Sequence, residues 1–319
     1  MCQEKYTFGA PISFYLLSIY FMFRKLFTIC TAAFLFVACS SNDDIIPDNE
    51  TNNANANDAS VFPEYARLEF PKLKGGANNR VLIHKSNDGF GVNYCTEWDD
   101  SKKSQRWSCY QLYKSNLATG KGVKRYVADR RKGELQYFQD ELIPAMYRFA
   151  YDPYYRTGYD HGHICPSADR LYTQTANIET FYLSNMQPQS HAFNDGVWKN
   201  METAVRQWGT RNNYGFADTL YVCKGGTIDK NDYILKRLSS GLIVPKYFWM
   251  AILRVKDGQY NAIAFWVKHE DNKDTALAKY AISINDLEKK LDIDLFCNLP
   301  DDREERIESS VNINLWGLQ

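Results

Sequence analysis

Histidine is scarce in this chain, with only five in 319 residues, and net charge is absent, with 38 basic and 38 acidic side chains. The neutral total argues neither for nor against a polyanionic partner. No two cysteines have the CxxC spacing of a thiolate zinc site, so the eight cysteines are not read as a zinc-binding set. No segment repeats and no second linker follows residue 60, which argues for one mixed domain over residues 61–319. Hydrophobic residues make up 45% and aromatics 15%, well inside the globular range.

The N-terminal 38 residues read as a targeting segment. Arg24 and Lys25 after Met22 give a basic start, Leu26 to Ala38 is a short apolar run, and Cys39 follows a small residue. This pattern resembles a bacterial lipoprotein signal with cleavage before Cys39 and lipid on that residue. It implies an exported, membrane-anchored protein of a Gram-negative envelope, periplasmic or at the cell surface. Met22 is then the expected start. The alternative is an uncleaved anchor beginning near Phe14, but Arg24 and Lys25 interrupt the roughly 20 apolar residues such a span needs. Residues 39–60 are rich in Asn and Asp and poor in large apolar side chains, so a flexible tether is expected. Export permits disulfides, and the five cysteines of the folded part, Cys95, Cys109, Cys165, Cys223 and Cys297, leave at least one unpaired.

Strand patterns rich in β-branched and aromatic residues occupy 80–84, 91–98, 106–113, 220–223, 247–255 and 262–267. The last two are joined by the hairpin signal Lys256-Asp257-Gly258-Gln259. Val197, Trp198, Met201, Ala204, Val205 and Trp208 form one apolar stripe at helical period, with Asn194 where an N-cap belongs. Ser283 and Asp286 have the spacing of a capping box for a shorter helix. Without a regular βαβ alternation, these elements indicate an α+β fold with a largely antiparallel sheet.

Three of the five histidines, His161, His163 and His191, fall within about thirty residues, a concentration suited to proton-transfer or metal chemistry. His163 lies before Cys165-Pro166 on backbone expected to be extended or turning. Asn194 offers a carbonyl to a hard cation, and Glu202, eight residues on, is offset by roughly 80° so that both can flank one pocket. Taken singly, Asn194 also fits an ordinary N-cap, Glu202 a solvent-facing charge, and His191 a surface residue. His84 and His269 look peripheral, and Cys165 reads as a small buried residue. Lys121, Lys124, Arg125, Arg130, Arg131 and Lys132, opposed only by Asp129, form either a solvated loop or a phosphate-contacting surface.

The motifs Asp160-His-Gly-His163, Pro166-Ser-Ala-Asp-Arg170, Tyr182-Leu-Ser-Asn185-Met-Gln-Pro-Gln189 and Asn194-Asp-Gly-Val-Trp198 with Glu202 occur in that order. Together they closely resemble the DNA/RNA non-specific endonuclease family. This is the ββα-metal, or His-Me finger, group that includes secreted bacterial non-specific nucleases and mitochondrial endonuclease G. The likeness extends to Trp107, Tyr110 to Tyr113, and Phe296-Cys-Asn-Leu-Pro300, covering most of residues 62–317.

The resemblance implies a ββα-metal fold with flanking helices and a Mg²⁺-dependent endonuclease acting on DNA and RNA. One Mg²⁺ per site is expected, with Mn²⁺ able to substitute and no obligate protein partner. His163 is implied as general base, Asn194 as the direct metal ligand, Glu202 as holder of metal-bound water and Asn185 as an orienting residue, with Asp160 in the catalytic set. The family usually reads DRGH, whereas the second position here is His161. Phosphate binding is therefore expected from His161 itself or from Arg156 or Arg170. The family's upstream arginine is sought among Arg125, Arg130 and Arg131.

Two other readings remain open at this level. One is a catalytically impaired surface lipoprotein that binds nucleic acid or protein on the same fold. The other is a zinc hydrolase built on Asp160, His161 and His163.

Overall fold

Alternating side chains along the first strand signals build β1 (Asn79–Ser86), β2 (Gly91–Asp99) and β3 (Ser104–Tyr113) as an antiparallel meander. The computed structural model describes residues 52–86, 88–118, 122–272 and 276–318. After the short helix α1 (Lys114–Ala118), a long irregular stretch leads to β4 (Asp160–His163). Next come α2 (Gln174–Glu179), β5 (Met186–Gln189), α3 (His191–Phe193) and α4 (Lys199–Tyr214). The remaining strands are β6 (Thr219–Gly226), β7 (Ile234–Arg237), β8 (Ile243–Pro245), β9 (Tyr247–Lys256), β10 (Gln259–Lys268) and β11 (Ala281–Ile282). Helices α5 (Ile284–Leu291), α6 (Asp301–Glu308) and α7 (Ile313–Trp316) close the described chain.

The seven-stranded central sheet runs β1-β2-β3-β6-β9-β10-β11 and is antiparallel throughout, as the α+β reading expects. Both of its faces are covered. Tyr94, Tyr110, Val222 and Ile252 pack on one face with Met201, Val205 and Trp208 of α4. Their strand neighbours Cys95, Cys109, Cys223 and Ala251 pack on the other with Ile284, Leu287 and Leu291 of α5. That arrangement explains why the strands are apolar on both sides rather than half polar. The register sets Cys95 opposite Cys109 and Cys109 opposite Cys223, yet all five cysteines of the folded part are free thiols.

Local signals match where they depended on short-range chemistry. Asp257 and Gly258 both have positive φ, 48° and 76°, which is the backbone of a two-residue hairpin turn whose twist suits the flanking strands. The Ser283 side chain accepts from Asp286 N at 3.1 Å, capping α5.

The tether expectation fails at its C-terminal end. Asp301 N donates to Asn52 O at 2.9 Å, and Ala54 N donates to Asp301 Oδ1 at 3.1 Å. Asn55 Nδ2 reaches Glu304 Oε2 at 3.0 Å, and Asn57 Nδ2 reaches Pro71 O at 3.0 Å. Composition suggested disorder because little apolar surface is available, but here asparagine amides fasten the segment through hydrogen bonds instead. The signal region 1–38, Cys39 and the rest of the tether through Thr51 lie outside the described residues.

Candidate active site

The site is assembled where β4, β5 and the helices after β5 meet. β4 pairs antiparallel with β5, setting Asp160 opposite Gln189 and His163 opposite Met186. Between them Gly162 is required by contact, since a Cβ there would lie 2.3 Å from Cδ of the buried Gln189. A π-helical segment, Asn194–Trp198, links α3 to α4, and Gly196 departs from helical angles inside it (φ −102°, ψ −116°). Such insertions recur at functional sites because they re-aim side chains from a continuous helix.

Asn194 is therefore not an N-cap. The helical run begins earlier, after Ser190, whose N–H donates to His269 Nε2 at 2.8 Å while His269 Nδ1 bonds Pro245 O at 2.9 Å. His269, read as peripheral, thus holds the entry to the site-bearing helix. Asn194 Nδ2 donates to Asp160 Oδ2 at 3.0 Å, and His191 Nδ1 lies 2.9 Å from the same oxygen. Because the amide nitrogen is committed to Asp160, its carbonyl oxygen is the acceptor the side chain offers to the cleft. Trp198 Nε1 adds a second tie, donating to His163 O at 3.2 Å.

A cleft of about 540 Å³ is lined by Arg125, His161, His163, Asn194, Lys199 and Glu202, with Tyr137, Tyr159 and Arg206 also on its wall. His163 Nε2 is buried without a hydrogen-bond partner. Burial, then the nearby Arg125 and His161, hold the His163 imidazole well below its ordinary value. A neutral ring with an unoccupied nitrogen can accept a proton at neutral pH. Glu202 Oε1 takes Lys224 Nζ at 2.7 Å, and that ammonium also lies 4.5 Å from the Trp198 ring centre. Burial pushes the Glu202 carboxyl up from its usual range and Lys224 opposes the shift.

Several expected substrate contacts fall elsewhere. Arg170 is 1% exposed, its guanidinium donating to Asn93 O and Gln111 O, both at 2.9 Å. It is a structural arginine that satisfies buried carbonyls, not a phosphate ligand. Arg156 is exposed with its guanidinium 5.0 Å from the Tyr155 ring centre, and Arg130 is exposed on a short 3₁₀ turn; neither lines the cleft. Arg125 does line it, bonded to Ser167 Oγ and 4.9 Å over the Phe181 ring. Lys121 of the basic run lies outside the described residues.

His161 reaches the cleft wall but its ring is occupied. It stacks on Tyr137 at 3.6 Å and Tyr154 at 4.1 Å, and its Nε2 lies 2.9 Å from Asp152 Oδ1. With Asp160 bound to Asn194 and His161 to Asp152, the zinc set does not form. Among the described residues no group of three or more His, Cys, Asp or Glu side chains is placed to hold a metal ion. Asn185 is fully buried outside the cleft. Its Oδ1 accepts from Cys165 N at 2.8 Å, and its Nδ2 donates to Cys165 O at 2.9 Å and Thr180 O at 2.8 Å. It clamps the chain two residues after His163 and touches no substrate space.

Sequence reasoning missed Lys224, Arg206, Tyr137 and Asp152. Lys224 had a visible signal, a lone charge inside the apolar strand β6. The other three join the site only through tertiary packing.

Two short strands followed by a helix that presents Asn194 define a ββα-metal fold. The described architecture has a counterpart in a solved EndoG/EndoGI complex, with a TM-score of 0.56 and 23% identity over 70% of this chain and 89% of that one. The profile described as DNA/RNA non-specific endonuclease matches residues 76–302, and the chain belongs to that family, a metal-dependent type of nuclease. Nuclease C1 of Cunninghamella echinulata var. echinulata is 29% identical over 213 residues, 65% of this chain and 81% of that protein. A nuclease of Nostoc sp. is 27% identical over 229 residues, 69% and 76% respectively. The protein is thus a nucleic-acid hydrolase.

Proposed function

We propose that this protein is a Mg²⁺-dependent endonuclease that hydrolyses phosphodiester bonds of both DNA and RNA, with Mn²⁺ able to replace Mg²⁺. What supports the reading most is the pairing of His163, whose buried Nε2 has no partner, with Asn194, whose amide is turned by Asp160, on one cleft. The donor set suits a hard cation: one amide oxygen, a nearby carboxylate and room for water. Asn194 would hold the ion directly and Glu202, steadied by Lys224, would hold its water. When bound, the cation supplies positive charge where negative charge grows on the phosphate and leaving oxygen.

The protein's own part is acid-base and positional. His163 Nε2 takes a proton from water as the water oxygen attacks phosphorus and the ester oxygen leaves. Such assistance is typically worth ~10²- to 10⁴-fold in rate. Arg125, Lys199 and Arg206 line the cleft with positive charge, and contacts of that kind read the backbone common to all sequences. The sequence further supports export and lipid attachment at Cys39.

Digestion of plasmid and of structured RNA tests the reading. Wild type with Mg²⁺ should degrade both, while EDTA or His163→Ala should leave both intact. Retained nucleic-acid binding without cleavage by wild type would favour the non-catalytic surface lipoprotein instead.

A further inference from the structure

Immediately before β4 the chain carries two kinds of aromatic residue. Tyr154 is buried and stacks on His161 at 4.1 Å, while Asp152 receives the His161 ring at 2.9 Å. Tyr151 and Tyr155, in the same segment, are 68% and 72% exposed. The segment is held from within: Tyr154 N donates to Asp152 Oδ1 at 3.0 Å, and Thr157 Oγ1 donates to Tyr154 O at 2.8 Å. Arg156 adopts φ of 58°, a left-handed backbone that a long side chain enters at a cost. That backbone sets its guanidinium 5.0 Å from the Tyr155 ring centre. Tyr151 makes no ring contact among the described residues.

Exposed phenol rings on a pinned loop, with an arginine alongside, are what a single strand uses for stacking. Every base has a π-face, so such a surface is tolerant of sequence, and a guanidinium adds cation–π and phosphate attraction. The position fits as well. Tyr155 precedes the cleft residue Tyr159 by four residues, at most ~14 Å of extended chain. His161, the departure from the family's arginine, is the residue that couples this loop to the cleft wall.

Resting on the nuclease reading, we propose that Tyr151, Tyr155 and Arg156 form a stacking platform beside the cleft that receives unpaired bases of a single-stranded nucleic acid. The platform gives the enzyme a preference for single-stranded over duplex substrate that the phosphate-reading cleft alone does not supply.

The test compares kcat/KM on a single-stranded oligonucleotide and on the duplex of the same sequence. Wild type should favour the single strand. Tyr151→Ala with Tyr155→Ala should lower kcat/KM on it about tenfold through KM, with little change on the duplex. Tyr155→Phe, which keeps the ring and loses the hydroxyl, should behave as wild type, and Arg156→Ala should fall between. Circular dichroism should show both alanine variants folded, as expected for exposed positions; if the double variant unfolds, Arg156→Ala carries the comparison. An equal loss on both substrates, or none, overturns the platform. Loss of binding to anionic lipid vesicles with cleavage unchanged overturns it too and assigns the patch to a membrane surface. Failure of wild type to cleave either substrate would instead sink the nuclease reading.

Discussion

Lys224 Nζ lies 2.7 Å from Glu202 Oε1, joining the central sheet to the site-bearing helix through a nearly dry ion pair. Its Lys224 partner is fully buried. Lys224→Met strands the carboxylate without its cation. Losing one member of a buried pair should lower stability by about 3 kcal/mol. Chemical denaturation measures the loss, and Mg²⁺-dependent cleavage should fall well beyond what the unfolded fraction explains. Unchanged cleavage by the folded variant would remove Glu202 from the site's working parts.

Asp160 turns the Asn194 amide and contacts His191 with the same oxygen. Asp160→Ala frees that amide to rotate. Groups that orient a metal ligand typically matter by 10- to 100-fold in metal affinity. The Mg²⁺ concentration giving half-maximal cleavage should rise by roughly that factor, with cleavage recovering at high Mg²⁺. A variant dead at every Mg²⁺ concentration would instead mark Asp160 as part of the chemistry.

The acid side of the pH profile follows from His163. Its folded value sits well below the ordinary 6.5 because the ring is buried near Arg125 and His161. A group depressed by folding contributes stability that is fully present above the unfolded value and lost as pH falls through the folded one. Stability should therefore decline below about pH 6.5, and less so in His163→Ala. For catalysis, the acid limb of kcat/KM should lie below pH 6.5 as well, since the ring stays neutral to lower pH. A limb at or above that value would contradict the assignment of His163 as base.

Asn185 satisfies Cys165 N, Cys165 O and Thr180 O from a fully buried position. Asn185→Ala leaves those backbone groups unpaired, at a cost above about 2 kcal/mol. Thermal unfolding should show it. In the folded fraction kcat should fall while KM for nucleic acid holds, because the residue acts through the backbone that carries His163.

Legibility in the sequence tracked the range of the interaction. The Asp257-Gly258 turn and the Ser283 cap are settled within a few residues, and both stand as read. Strand positions were legible because β-branched and aromatic runs report burial directly. Asn194 looked like an N-cap because the apolar stripe starts just after it; the π insertion and the capping by His269, distant in sequence, moved the helix start back to Ser190. Arg170 sits inside a family motif, yet burial gave its guanidinium to two carbonyls. Arg125 was one of three equal candidates until folding brought it over Phe181. The His161 environment was invisible, since Tyr137, Asp152 and Tyr154 meet it only through packing of an irregular stretch.

The asparagine-fastened segment at residues 52–57 lies by α6, on the side of the sheet packed with α5, whereas Ile164 and Phe193, the neighbours of His163 and Asn194, pack on the side with α4. Residues 52–57 therefore lie on the face of the sheet opposite the catalytic cleft. A fusion partner joined directly at Asn52 would start on that far face and leave the mouth of the cleft unobstructed for long polymers to thread past.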